Sequence, residues 1–230
     1  MGALHAGHLA LIEAARAECS LVVLSLFVNP AQFDQDADLE AYPRDEERDA
    51  AIAADAGVDV LFAPEPDEIY PPGFQTWVEV QELSRGLEGA YRPGHFRAVA
   101  TICLKLFNIV RPQFAYFGQK DAQQLAVVRR LVQDLNLDLT VRSVETVRDS
   151  DGLAISSRNV RLSAAERTAA LALPRALATR DPEAARAALD GLDVDYVEVA
   201  DFDPPVLAAA VRVGSTRLID NVILEEREER

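Results

Sequence analysis

The sequence predicts an α/β protein: a parallel-sheet domain over residues 1–150, followed by a smaller α+β domain over residues 151–230. Three observations carry this. Strand and helix periods alternate from Met1 to about Val147 at the spacing of β-α-β units. After Ser150-Asp151-Gly152 the texture changes to Ala-rich helices and then short strands. The 230 residues, 49% of them hydrophobic, allow one large or two modest domains with a real core.

The elements follow in order. His8 to Glu18 carries Leu9, Leu11, Ile12 and Ala15 on one helical face. Leu21 to Val28 is a continuous apolar run closed by Asn29-Pro30, a buried strand. Asp45 to Ala56 is a helix with an acidic first turn, and Val58 to Phe62 a second buried strand. A Pro- and Gly-containing connection leads to a short strand at Thr76 to Val80. Phe96 to Val110 is a helix apolar on most sides, hence buried. Strand Phe114 to Phe117, helix Lys120 to Leu135 and strand Leu139 to Val144 complete the first domain. Beyond the boundary, Ser163 and Glu166 form a capping box that opens an Ala-rich helix to Ala178. Arg180-Asp181-Pro182 breaks it, and Glu183 to Leu189 is a further helix. Asp195 to Ala200, the apolar Val206 to Val213, and Arg217 to Leu224 are the strands, and the terminal EEREER reads as a solvated end.

Composition excludes several classes. With 23 basic and 38 acidic residues, the net charge of −15 argues against nucleic acid as main partner, because phosphate binding draws on Lys and Arg. No apolar run approaches the ~18–20 residues of a membrane span. The first residues lack the basic flank of a secretory signal, and two isolated cysteines suit a reducing cytoplasm rather than a disulfide framework.

Several segments carry residues suited to chemistry. His5-Ala6-Gly7-His8 lies at a helix start, where unpaired N–H groups and the dipole favour an anion and where Gly7 lets a phosphate approach the backbone. Two partly buried structural histidines, or a metal pair, are the other readings; no further His or Cys lies near enough to complete a metal set. Asn29 and Gln32 sit at a strand's carboxyl end, where α/β sheets bind ligands, although Asn29-Pro30 also reads as simple turn punctuation. In Gly118-Gln119-Lys120-Asp121, the lysine suits phosphate and Asp121 suits ribose hydroxyls, with Gln124 one turn along; a surface ion pair is the bland alternative. Ile155-Ser156-Ser157-Arg158-Asn159 offers hydroxyls, backbone donors and a guanidinium for a polyphosphate, or is a solvated turn. Arg92, His95 and Arg97 gather positive charge around a Pro-Gly turn, as an anion site or as a solvated loop.

Taken together, MGALHAGH, SLFVNPAQF, EGAYRPGHFR, VATICLKLFNIVRPQFAYFGQKDAQQ, VRDSDGLAISSRN and GSTRLIDN resemble the pantoate–β-alanine ligase family of the HxGH nucleotidyltransferase-like superfamily. The resemblance spans residues 1 to about 223 and implies a Rossmann-like first domain with a smaller lid domain. It implies a reaction in two halves: pantoate's carboxylate attacks the α-phosphorus of ATP, and β-alanine's amine then displaces AMP from the adenylate. Carried over, Met1, Gly2, Ala3, Leu4, His5, Ala6, Gly7 and His8 would hold ATP, with His8 the proton donor and His5 and Lys120 also catalytic. Gly118, Gln119, Lys120, Asp121, Val147, Ile155, Ser156, Ser157 and Arg158 would complete the ATP site. Gln32 and Gln124, with Asn29, would hold pantoate, and Gln32 would also meet β-alanine. Mg²⁺ would arrive with ATP, with no tightly bound cofactor and no dedicated metal ligands, and the family implies a homodimer.

Two departures from the family pattern stand out. Ile155 replaces a Met before the Ser-Ser-Arg, an exchange of similar bulk. Met1 corresponds to an internal Met of a PTMGALH-like segment, so the sequence suggests a misplaced start or a trimmed chain without the strand that feeds the turn. The competing assignments are another HxGH nucleotidyltransferase and a poorly active nucleotide- or pantoate-binding remnant. A class I aminoacyl-tRNA synthetase is disfavoured by the size and the charge of −15.

Overall fold

A computed structural model describes residues 2–33, 39–40 and 42–224, so Met1 and the EEREER segment lie outside the described residues. The chain falls into two compact units, residues 1–117 with 127–144, and residues 118–126 with 145–230.

In the first unit, helix α1 (Ala6–Glu18) leads to strand β1 (Val23–Ser25). Helix α2 (Glu46–Asp55) then leads to β2 (Val60–Phe62), which pairs with β1 in parallel, Leu24 opposite Leu61. Asp45 caps α2 by accepting from the Arg48 N–H at 3.0 Å. The apolar run from Leu21 to Val28 supplies only three ladder residues, fewer than expected. At one end the Val22 N–H is taken by the Asp59 side chain at 2.7 Å; at the other Asn29-Pro30 turns the chain.

Short helices α3 (Pro66–Ile69) and α4 (Glu88–Tyr91) precede α5 (His95–Val110), which buries its first half, His95 to Cys103, apart from Arg97. Its second half is not buried all round: Ile109 is half-exposed. The strand expected at Thr76 to Val80 does not form. There Val78 donates its N–H to the Thr101 hydroxyl on α5 at 3.0 Å instead of joining a ladder. Strands β3 (Phe114–Gly118) and β4 (Thr140–Val144) make a second two-stranded sheet, so the single sheet expected is two among the described residues. Phe27, Phe96, Val99, Ala100, Val127 and Leu131 form the main core here. Cys103 lies in it, and burial pushes its thiol up to about 12, leaving no reactive thiolate.

Arg142 of β4 grips Glu18 at the end of α1 through Nε and Nη2, and the Tyr116 hydroxyl donates to the same carboxylate at 2.7 Å. The Arg142 hydrogen bond, and then Tyr116, hold Glu18 below the ordinary glutamate range. A carboxylate lowered in the fold stabilises it above the unfolded pKa of about 4.3 and loses that contribution as pH falls through the folded value. Urea titrations should therefore show Glu18→Gln less stable than wild type at pH 7. The gap should narrow only once the pH drops below about 4; a gap already closing at pH 6 would refute this.

In the second unit, α7 (Ala164–Ala170) opens on the Ser163–Glu166 capping box. The expected single helix to Ala178 is divided at Leu171 into α7 and α8 (Ala172–Leu177). Pro174 lacks the N–H that would bond back to residue 170, which explains the break. Helix α9 (Pro182–Ala188) is capped by Asp181. Strands β5 (Asp193–Ala200), β6 (Val206–Val213) and β7 (Thr216–Ile223) form an antiparallel sheet with β6 in the centre. A continuous apolar run is what a central strand needs, and all of β6 but Arg212 is buried. Gly214 makes the β6–β7 turn with φ +58, and a side chain there would strike Glu166. Leu173, Leu177, Leu189, Leu207 and Val211 close the core between helices and sheet. No helix among the described residues is long and apolar enough to cross a membrane.

Candidate active site

In the first unit the site is built on the start of α1. His5 occupies the N-cap with extended backbone, and its N–H donates to Nδ1 of His8, three residues on, at 3.2 Å. His8 thereby takes the part that Glu or Gln plays in a capping box. An Nδ1 that accepts leaves the ring proton on Nε2, so neutral His8 presents an N–H donor. The rings stack with centroids 3.9 Å apart, on one face as the spacing requires. A side chain at Gly7 would lie 3.1 Å from the His5 ring, so the glycine serves ring packing.

The residues before the helix are held by a group the sequence did not reveal. The N–H groups of Ala3 and Leu4 donate to the two oxygens of Asp49 on α2, at 2.7 and 2.8 Å. Asp49 is 1% exposed, and Arg48 bridges its carboxylate to the Leu4 carbonyl. In the sequence, Asp49 follows two glutamates in a helix's first turn and reads as an ordinary dipole partner. Gly2 is buried, with a Cβ there only 2.9 Å from Val28, and Leu4 packs with Ile12, Leu24 and Ala53.

Asn29 is buried and caps the turn Pro30–Gln32 by accepting from the Ala31 N–H. Its Nδ2 and the neighbouring Tyr70 hydroxyl are buried without a well-formed hydrogen bond among the described residues. Burial raises the Tyr70 phenol above its ordinary range. The Gln32 carbonyl accepts from Arg92 Nη2 at 3.1 Å and from His95 Nδ1 at 3.2 Å, while Arg92 Nη1 donates to His95 Nε2 at 3.1 Å. Arg92 and His95 thus clamp the Gln32 backbone. Arg97 stacks over Trp77 instead, 5.1 Å from the ring centroid.

The remaining candidates all belong to the second unit. Gln119–Asp121 is a 3₁₀ turn that leads from β3 into helix α6 (Ala122–Asp134), which runs through both units. Lys120 Nζ lies 3.4 Å from Asp121 Oδ1, and Gln124 is half-buried on the first turn of α6. Val147 accepts from the Ile155 N–H at 2.9 Å across a narrow hairpin whose turn is Asp149 to Gly152. Arg167 pairs with both Asp149 and Asp151 of that turn. Ser156 caps the following 3₁₀ turn, Ser157–Arg161, by accepting from the Arg158 N–H at 3.3 Å. Val147 and Ile155–Arg158 are therefore brought together, and Gly118–Asp121 shares their unit although the sequence boundary near 150 separates them.

These features define an α/β protein with paired histidines at a helix start and a Lys-Asp turn leading into a second helix. The pantoate-beta-alanine ligase family model matches residues 1–223. A pantothenate synthetase of Heliobacterium modesticaldum is 51% identical over 98% of this chain and 89% of its own length. The crystal structure of pantothenate synthetase from Thermus thermophilus superposes with TM-score 0.93 at 46% identity, covering 97% of this chain and 90% of that one. The pantoate-beta-alanine ligase of Francisella tularensis, solved with beta-gamma ATP and beta-alanine, matches with TM-score 0.85 at 34% identity, over 97% and 87% of the two chains. The chain belongs to the pantoate–β-alanine ligase family.

Proposed function

We propose that this chain joins pantoate to β-alanine at the expense of ATP, giving pantothenate, AMP and pyrophosphate. The observation that carries the proposal is the family match over residues 1–223, which takes in every motif segment described above. In the first half-reaction a pantoate carboxylate oxygen bonds to the α-phosphorus as the bond to pyrophosphate breaks. In the second, the β-alanine nitrogen bonds to the acyl carbon, AMP leaves, and the nitrogen gives up a proton. Negative charge builds on phosphorus and on departing pyrophosphate, so donors fixed in advance are the main requirement.

We assign that work to His5, His8 with its Nε2–H, Lys120, Ser156, Ser157 and Arg158. Gly2 to Gly7, Gly118, Gln119, Asp121, Val147 and Ile155 are assigned to the rest of the nucleotide. Asn29, Gln32 and Gln124 are assigned to pantoate, and Gln32 to β-alanine as well. ATP enters as its Mg²⁺ complex. The same reading makes the protein a cytoplasmic homodimer, in keeping with two unpaired cysteines.

Pyrophosphate release measured with each substrate omitted in turn tests the assignment. Release should require ATP and pantoate, and pantothenate should appear only when β-alanine is added. Release that does not depend on pantoate overturns it.

A further inference from the structure

The sequence motif GSTRLIDN contributes none of the residues assigned above, yet it places two nearly buried polar side chains side by side on β7, Asp220 at 3% and Asn221 at 5% exposure. Polar groups so buried are costly unless they are paired, and these are paired to loops rather than to the sheet. Asn221 Nδ2 donates to the carbonyls of Gln119 and Lys120, both at 2.9 Å, and its Oδ1 faces Gln119 Nε2 at 3.4 Å. Asp220 accepts from Arg148 Nη1 at 2.7 Å and Nη2 at 3.1 Å, a two-pronged grip beside Val147. Asp220 also accepts from the Asn221 backbone N–H at 2.8 Å, which fixes its carboxylate against the strand. Gln119–Asp121 and Ser157–Arg161 both pack against β7.

We infer that Asn221 is a positioning residue for Lys120: its amide locks the 3₁₀ turn that aims the lysine, while Asp220 sets the Val147–Ile155 hairpin from the same strand. The role rests on the assignment of Lys120 to the phosphates. A short 3₁₀ turn has poor hydrogen-bond geometry of its own, so its shape depends on outside partners. Two carbonyls gripped by one amide fix both the turn's path and the direction in which residue 120 leaves it. Asparagine suits this task, since one side-chain nitrogen supplies two donors. The isosteric Asn221→Asp turns that double donor into an acceptor facing two carbonyls, and so releases the turn without opening a cavity.

The test is a double-mutant cycle on pyrophosphate release with Asn221→Asp, Lys120→Ala and the pair, alongside amide exchange of residues 118–122. Asn221→Asp should lower kcat by ~10-fold or more and speed exchange in the turn, and in the Lys120→Ala background it should cost less than ~3-fold further, the mark of two residues acting as a unit. A purely structural role would make the two losses multiply, and that result overturns the inference. Activity of Asn221→Asp within ~3-fold of wild type, or unchanged exchange, overturns it too. If Asn221→Asp shows no melting transition, Asn221→Ser takes its place in the same cycle. Faster exchange in a protein whose wild type needs no pantoate would leave the anchor standing and sink only the ligase assignment.

Discussion

His8→Ala should release pyrophosphate at least ~10²-fold more slowly than wild type, the loss expected when one fixed donor to a developing oxyanion is removed. The alanine takes away two things at once: the Nε2–H donor and the Nδ1 acceptor that holds the His5 N–H at the helix start. His8→Gln separates them, because glutamine at the third helical position keeps a capping-box acceptor but has no imidazole. Thermal melts should therefore show His8→Gln close to wild type, while its turnover stays as low as that of His8→Ala. Recovery of activity in His8→Gln would reduce His8 to a helix cap. His5 would answer less cleanly, since its ring stacks on His8 and its loss would free both.

Lys120→Ala should cost a similar ~10²-fold or more, and the loss should fall mainly on kcat. The Lys120 side chain is one-fifth exposed and its ammonium already rests 3.4 Å from Asp121, so it is neutralised in part before any nucleotide arrives. A cation so paired gains most when charge on the departing pyrophosphate exceeds that of the ground state. That is the signature of an interaction made in the transition state. A rise in KM for ATP with kcat unchanged would instead mark Lys120 as a uniform binding contact. Lys120→Arg should recover only part of the rate, because a planar fork does not replace a compact point charge on a flexible stem.

The sequence made the skeleton of both units legible wherever local chemistry decides the outcome. The Ser163–Glu166 capping box, the acidic first turn after Asp45 and the apolar run of β6 are local signals, and each element stands within a few residues of its expected place. Thr76 to Val80 was not legible, because its ladder was replaced by a single hydroxyl contributed by Thr101, more than 20 residues away. Pro174 carries the signal for the break at Leu171, but the capping box and the Ala-rich run outweigh it in the sequence, which reads as one helix. For the site, the motifs show which residues gather but not what holds them. Asp49 and Asn221 act across 45 and 102 residues of sequence, and although Asn221 falls in the GSTRLIDN motif, nothing there tells which backbone it holds. In the sequence Arg92 and His95 leave an anion site and a solvated loop both open, since a cluster of basic groups looks the same whether it faces a ligand or a backbone carbonyl.

On the assignment of Gly2 to His8 to ATP, the Asp49 clasp also bears on the entropy of nucleotide capture. Gly2 to Leu4 leads into the paired histidines with Ala3 at φ +54, a left-handed conformation that alanine resists by ~1–2 kcal/mol. Left to itself, such a segment would sample extended conformations and would have to be frozen by the incoming ligand, at ~1–2 kcal/mol per residue. Two backbone N–H hydrogen bonds to one buried carboxylate have frozen it already. The free energy of ordering is thus drawn from folding rather than from substrate binding, which leaves more of the nucleotide's interaction energy for the chemical step.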